Sequence, residues 1–327
     1  MDRRIETRLT RALRIMHPIL SAPMALTSGG KLAAAVSRAG GLGLIGGGYG
    51  DAGFLEAAYR DAGNVRTGCG FITWSLAKKP ELLDLVLAHK PAALMLSFGD
   101  PAPFSRAIRD SGAMLICQCQ NMTHVRAALD AGASAIVAQG AEAGGHGATR
   151  GTLSFVAEVT DFLAHHAPET LLLAAGGIAD GRGLAAALML GADGVLVGTR
   201  FWAATEALAP HGHQLRAVER DGDSTLRTKA VDVVRELDWP EGFTIRVGSN
   251  AFTDRWHGRE EDLRMALAEE VPAYKAALAA GDAEHSAPVY GEAAGLIRAI
   301  EPAADIIARM VREAISRLET RGGARIA

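Results

Sequence analysis

The sequence predicts a (β/α)8 TIM barrel with a smaller α-helical domain inserted or appended near its C-terminus. Three observations predict it. Short apolar runs alternate with helix-period segments through the first two-thirds of the chain, the runs number eight, and the alternation stops after Phe201. Eight strand–helix units in about 205 residues match the size of such a barrel. A doubly wound open sheet competes on texture alone, but it gives no reason for the count to reach eight and stop.

The strand candidates are Ile19–Ala22, Leu42–Gly46, Thr67–Ile72, Ala92–Ser97, Met114–Cys119, Ala135–Gln139, Leu171–Ala175 and Gly194–Gly198. They are nearly continuous apolar runs, as expected for parallel strands covered on both faces. Between them lie helix candidates at Lys31–Ala39, Phe54–Ala62, Pro80–His89, Phe104–Ser111, Thr123–Ala131, Leu153–His165 and Arg182–Leu190. Gly40, Gly63, Gly112, Gly132 and Gly191 each follow a last apolar turn, where glycine is the usual left-handed stop. From Pro210 to Pro288 the chain is more charged, strand texture does not resume, and only helices are expected. A final amphipathic helix is expected near Pro302–Leu318. The expected division is a cofactor-binding barrel over 1–208, a helical lid or substrate domain over 209–289, and C-terminal helices over 290–327 that return to the barrel.

Composition narrows the class. Hydrophobic residues make up 49% and charged residues 22%, which excludes disorder as a description of the whole chain. Aromatic residues are only 5% against 38 glycines, which disfavours an aromatic-rich β-sandwich. A net charge of −3 without a Lys/Arg run gives no sign of a nucleic-acid binder. Three cysteines, Cys69, Cys117 and Cys119, make neither a disulfide framework nor a zinc pattern. The first twenty residues carry scattered charges and no long apolar segment, so a soluble cytoplasmic protein is the expectation, with no membrane partner. The oligomeric state is open, a homo-oligomer included.

In a barrel the chemistry sits at the carboxyl ends of the strands. Gly176-Gly177 follows the seventh run and Gly198-Thr199 the eighth. Glycines there let backbone N–H groups approach a ligand, and each pair precedes a helix whose N-terminus favours an anion. A phosphate-bearing ligand is therefore expected. After the sixth run, Gln139-Gly140-Ala141-Glu142-Ala143-Gly144-Gly145-His146-Gly147 puts an imidazole in a Gly-rich loop at the same end, suited to general-base work or to hydrogen-bonding an anion. Cys117 and Cys119 alternate with Gln118, so both thiols should lie buried on one side and Gln118 on the other. Gly41-Leu42-Gly43-Leu44-Ile45-Gly46 fits G-x-G-x-x-G literally, but its glycines run through a strand, which argues against a dinucleotide site. His211 and His213 resemble a metal pair without a carboxylate, so no metal is expected. His165-His166 closes a helix, where a cation is favourable. Asp254-Arg255-Trp256-His257 fits either a pocket rim or packing of the appended domain.

Ala22-Pro23-Met24, the Gln139–His146 loop, Ala175-Gly176-Gly177-Ile178-Ala179-Asp180-Gly181 and Gly198-Thr199-Arg200-Phe201 together resemble the nitronate monooxygenase family, formerly called 2-nitropropane dioxygenases. The motifs follow in the right order over most of the chain, although related FMN barrels such as bacterial enoyl-ACP reductase II share most of them singly. The resemblance implies FMN under a small helical domain. The FMN phosphate would lie on Gly176, Gly177, Gly198 and Thr199. Ala22, Pro23 and Met24 would support the flavin ring, Gln139, Gly144 and Gly145 would line the ring or ribityl chain, and Gln118 would stand near the ring. His146 would be the catalytic base or anion stabiliser. The implied reaction is oxidation of an alkyl nitronate with O2 to a carbonyl compound and nitrite. An NAD(P)H-dependent FMN reductase with a quinone or enoyl-thioester acceptor is the alternative, and a flavin-free binder of phosphate ligands is a third. One departure falls after the third run. Relatives often carry Gly-x-Asn there, whereas this chain has Gly68-Cys69-Gly70-Phe71-Ile72-Thr73-Trp74, and Trp74 is expected to alter pocket shape.

Overall fold

The computed structural model describes residues 4–320. The eight expected runs are strands, and they close. β1 (Ile19–Ser21), β2 (Leu42–Gly48), β3 (Gly68–Ile72), β4 (Ala93–Ser97), β5 (Met114–Cys119), β6 (Ala135–Gln139), β8 (Leu171–Ala175) and β9 (Gly194–Val197) form a parallel barrel in that order, with β9 pairing back onto β1. A further strand, β7 (Gly145–Gly147), lies in the loop after β6 and outside the barrel. Closure rules out the open doubly wound sheet, because no strand of the barrel is left at an edge.

Side-chain alternation builds two apolar layers. Leu20, Leu44, Met95, Ile116, Val137, Leu173 and Leu196 fill the barrel lumen, and Leu9 and Leu13 of the short N-terminal helix Arg8–Leu13 pack with them. Their neighbours Cys69, Leu94, Cys117, Ile136, Leu172 and Val195 face outward under the helices. The alternation continues one step up each strand: Ile116 is followed by Gln118, and Val137 by Gln139, so two amides stand above the lumen core.

The glycines of β2 serve close packing, as the strand reading of G-x-G-x-x-G requires. A Cβ at Gly43 would meet the Ala33 backbone at 2.0 Å, and one at Gly46 the Met24 carbonyl oxygen at 2.3 Å. The helix Gly30–Arg38 and the loop after β1 can therefore lie directly on the barrel. Ser28 holds that loop by donating from Oγ to the Ala22 carbonyl oxygen at 2.8 Å.

The chain leaves the barrel after β9 and returns as the helix Ala303–Glu319, which packs against the helices Gly181–Met189 and Gly30–Arg38. Arg200, almost fully buried, anchors the return by donating to Glu301 Oε2 at 2.7 Å and to the Ala299 carbonyl oxygen.

The intervening segment differs from the helices-only expectation. It contains two strands, β10 (Thr225–Thr228) and β11 (Thr244–Gly248), which form an antiparallel sheet with β7. These strands are four, five and three residues long, too short for periodicity to reveal. They are stabilised by pairing with each other across a long sequence separation. The helices Ala251–Trp256, Glu260–Met265 and Leu267–Ala280 pack beside this sheet around Val247, Phe252, Trp256, Leu263 and Tyr274. Among the described residues, no helix is long and apolar enough to cross a membrane.

Candidate active site

A cavity of about 390 Å³ opens at the carboxyl end of the barrel, under the appended domain. Ala22, Pro23, Met24, Gln118, Gln139, Gly144, Gly145, His146, Gly176, Gly177, Gly198 and Thr199 all line it. Residues from five separate loops and strand ends thus meet at one place.

The floor is apolar. Met95 and Leu196 rise from the lumen, and Pro23 lies over β3 because Gly70 leaves room: a Cβ there would stand 2.3 Å from Pro23 Cγ. Beside this floor the amides form a fixed chain. Gln118 and Gln120 both donate to Gln139 Oε1, at 3.1 and 2.9 Å, and Gln139 Nε2 donates to the His146 carbonyl oxygen at 3.1 Å. Gln120 is buried and bonded in turn to His124, so the orientation of Gln139 is set from behind.

The glycine loops after β8 and β9 carry open backbone donors. The helix after β8 already has its first N–H groups capped, since Asp180 accepts from Arg182 and Gly183. The helix after β9 is a single turn, Thr199–Trp202. The open donors are in the loops themselves: among the described residues, the N–H groups of Gly177 and Gly198 have no protein acceptor. Gly177 has φ +73°, which an L side chain rarely adopts, and a Cβ at Gly198 would meet only Ala22 Cβ, at 3.7 Å. Thr199 Oγ1 accepts from the Gly291 N–H at 3.0 Å, which ties this corner to the returning chain. Two backbone donors without a protein acceptor, an apolar shelf and a row of amides suit a ligand that carries an anionic group, a flat apolar ring and a polar edge.

His146 lines the same cavity. It belongs to β7, paired with Ile245 of β11, and it is buried. Its Nε2 lies 2.9 and 3.0 Å from the two carboxylate oxygens of Asp232, on the helix Ala230–Val234. The Trp239 indole stacks on the imidazole, with centroids 3.3 Å apart and planes 8° apart. Phe98 meets both rings edge-on. Burial holds the His146 pKa below the usual histidine value, while Asp232 pulls the other way and the guanidinium groups of Arg235 and Arg227 reinforce burial. Burial thus favours the neutral form of the imidazole.

Several residues on or behind this wall were not legible from sequence motifs. Asp232, Arg235 and Trp239 come from the appended segment and reach His146 only through the β7–β11 pairing. Tyr49 comes from the loop after β2 and accepts from Trp239 Nε1 at 3.2 Å. Trp74 stands edge-on behind Tyr49 and Trp239, so the substituted stretch after β3 shapes the wall through them.

The weaker candidates fall away from the chemistry. Trp256 packs in the appended domain and donates to Glu270, while Asp254, Arg255 and His257 are exposed, so that stretch is packing rather than a pocket rim. His213 borders the cavity but bonds Ser286 Oγ, and no metal-binding cluster exists among the described residues. His165 and His166 each bond a carbonyl oxygen one helical turn back. Cys117 and Cys119 are buried on the outer face, with Gln118 on the cavity side.

Comparisons with known proteins converge on one family. The family model described as nitronate monooxygenase matches residues 6–84 and 76–313. A nitronate monooxygenase of Neurospora crassa is 32% identical, over 92% of this chain and 90% of its own length. Among solved structures, FabK from Thermotoga maritima superimposes with a TM-score of 0.85 at 32% identity, covering 98% of this chain and 99% of that one. A nitroalkane oxidase from Streptomyces ansochromogenes superimposes with a TM-score of 0.79 at 27% identity, covering 96% and 99%.

Proposed function

We propose, from the premise that this chain belongs to the nitronate monooxygenase family, that it oxidises alkyl nitronates with O2 to a carbonyl compound and nitrite, using FMN. Family membership makes the chain an oxidoreductase. The nitronate, the mononucleotide form of the flavin and the roles of individual residues are the proposal. The observation that carries it is the meeting, in one cavity, of glycine loops with open N–H donors and a buried imidazole.

Bound FMN would supply the redox chemistry, accepting electrons from the substrate and passing them to O2. Gly176, Gly177, Gly198 and Thr199 would hold its phosphate, Ala22, Pro23 and Met24 its ring, and Gln118, Gln139, Gly144 and Gly145 its polar edge and ribityl chain. The protein's own contribution is position and proton control. His146 sits where it can take a proton from a nitroalkane carbon or face the nitro group of the resulting anion. Trp239, Tyr49 and Phe98 cover that wall and keep water from it. Arg235, also on the cavity wall, adds a positive charge that favours an anionic substrate.

The test is anaerobic. Adding an alkyl nitronate to the purified yellow protein should bleach the oxidised-flavin absorbance promptly, and admitting air should restore it with release of nitrite. The likeness to FabK supports a second reading, an FMN reductase fed by NAD(P)H with a quinone or enoyl-thioester acceptor. An unchanged spectrum with nitronate, together with bleaching by NAD(P)H, would select that reading. A colourless protein that does not take up FMN would overturn both.

A further inference from the structure

We infer that Asp232 is a positioning residue that holds the Nε2 proton of His146, so that the neutral imidazole offers Nδ1 to the cavity as its proton acceptor. The inference rests on the role proposed above for His146. A carboxylate only accepts hydrogen bonds, and both oxygens of Asp232 lie within 3.0 Å of Nε2, so Nε2 is the nitrogen that carries hydrogen in the neutral ring. Nδ1 has no hydrogen-bond partner among the described residues, and the residue lines the cavity.

The pairing is too buried to be incidental. Each of the two side chains is 7% exposed, and a carboxylate left unpaired at that depth would be costly. The ring is held in two further ways. Trp239 lies flat against it and fixes its plane, and β7–β11 pairing fixes the backbone on which it hangs. Asp232 then selects the rotation of the ring about that plane. The charged groups acting on the ring are Asp232, Arg235 and Arg227, and only Asp232 is anionic.

This arrangement has a chemical consequence. When a neutral nitroalkane enters, its α C–H bond breaks, the proton goes to Nδ1, and the electron pair moves into the nitro group to give the nitronate. The imidazolium that forms keeps its Nε2–H on Asp232, which offsets the cost of a buried cation. The same imidazolium now presents an Nδ1–H to the new anion. Asp232 thus acts on the reaction only through His146.

The experiment uses flavin-loaded protein and two variants, Asp232→Asn and Asp232→Glu, with His146→Asn to assign the signal among the ten histidines. Long-range 1H–15N spectra of 15N-histidine protein should show His146 with a bare Nδ1 and a protonated Nε2 near neutral pH. In Asp232→Asn the acid limb of kcat/KM for a nitroalkane should move to lower pH, because the anion that favours the imidazolium is gone. Its plateau should fall at least about tenfold, mostly in kcat, while Asp232→Glu recovers part of the loss. An Nδ1–H tautomer in the unmodified protein would overturn the inference. So would a folded Asp232→Asn protein with an unchanged plateau and acid limb. If Asp232→Asn does not fold, the spectrum of the unmodified protein and the profile of Asp232→Glu decide. A protein that turns over no nitro compound would sink the functional reading, while the tautomer would still be read directly from the spectrum.

Discussion

Gly144→Ala adds one methyl group at the point where the returning chain crosses the loop after β6. A Cβ there would lie 2.5 Å from Gly291 N and Tyr290 C, and 2.8 Å from Tyr290 Cα. All three are backbone atoms, so no side-chain rotation relieves the clash. The segment around Gly291 must move, and it carries the Gly291 N–H bond to Thr199 and the Glu292 N–H bond to the Glu142 carbonyl oxygen. Overpacking of this kind costs about 1–3 kcal/mol. At roughly 2–4 °C per kcal/mol, that is a melting-temperature loss on the order of 2–12 °C. Gly144 is not among the positive-φ glycines, so the loss is steric. Gly112→Ala provides the control, because Gly112 has φ +81° and a Cβ there would meet nothing within 4 Å, which isolates the conformational penalty. Differential scanning calorimetry and retention of bound flavin through gel filtration would be compared for both variants. Gly144→Ala should lose stability and also release flavin, since Thr199 lies at the cradle, whereas Gly112→Ala should lose stability alone. A Gly144→Ala protein with unaltered melting and full flavin occupancy would refute the close approach on which this reasoning stands.

Three further outcomes are expected. His146→Ala should keep its flavin but lose turnover of nitro compounds, and loss of flavin on purification would count against its assignment to the substrate side. The Cys69 and Cys117 thiols are pushed up to about 12 by burial, and Cys119 is also raised well above its usual value, so none should react with a thiol reagent at pH 8 until the protein unfolds. A rapid burst of one or more thiols in the native protein would contradict this. Glu301 is held below the usual carboxylate range, chiefly by its hydrogen bonds from Arg309, so its stabilising contribution is present above the unfolded-state pKa and fades as pH falls through the folded-state value. Glu301→Gln should therefore melt below the unmodified protein at pH 7, and the gap should close in acid; a gap that is constant with pH would show the loss is not electrostatic.

The barrel was legible because each of its strands carries its own evidence. A strand covered on both faces is a continuous apolar run, and several of the helices that follow end in a glycine that punctuates the pattern. β5 and β6 begin and end where the runs do, and the parity of Cys117, Gln118 and Cys119 along β5 was enough to put the amide on the cavity side. The appended sheet was not legible. β10 and β11 alternate weakly over a few residues, and their partner β7 lies about a hundred residues earlier in a loop that reads as glycine-rich. The glycines that line the cavity were likewise visible, but which of their N–H groups lack a protein acceptor was not. Asp180 as an N-cap is spelled in the sequence, and its carboxylate accepts from the first N–H groups of the helix after β8.

What the amino-acid sequence determined by itself is local: strand and helix periods, the glycines that end them, and a histidine in a loop at the ligand-binding end of a barrel. These follow from backbone sterics and side-chain burial over a few neighbouring residues. Only the tertiary structure decided the surroundings of that histidine. Asp232 and Trp239 contact it because β7 pairs with β11, and that pairing brings together groups 86 residues apart in the case of His146 and Asp232. No local pattern encodes such a contact. Its stability comes from hydrogen bonds and burial that exist only once the chain has folded over the barrel mouth.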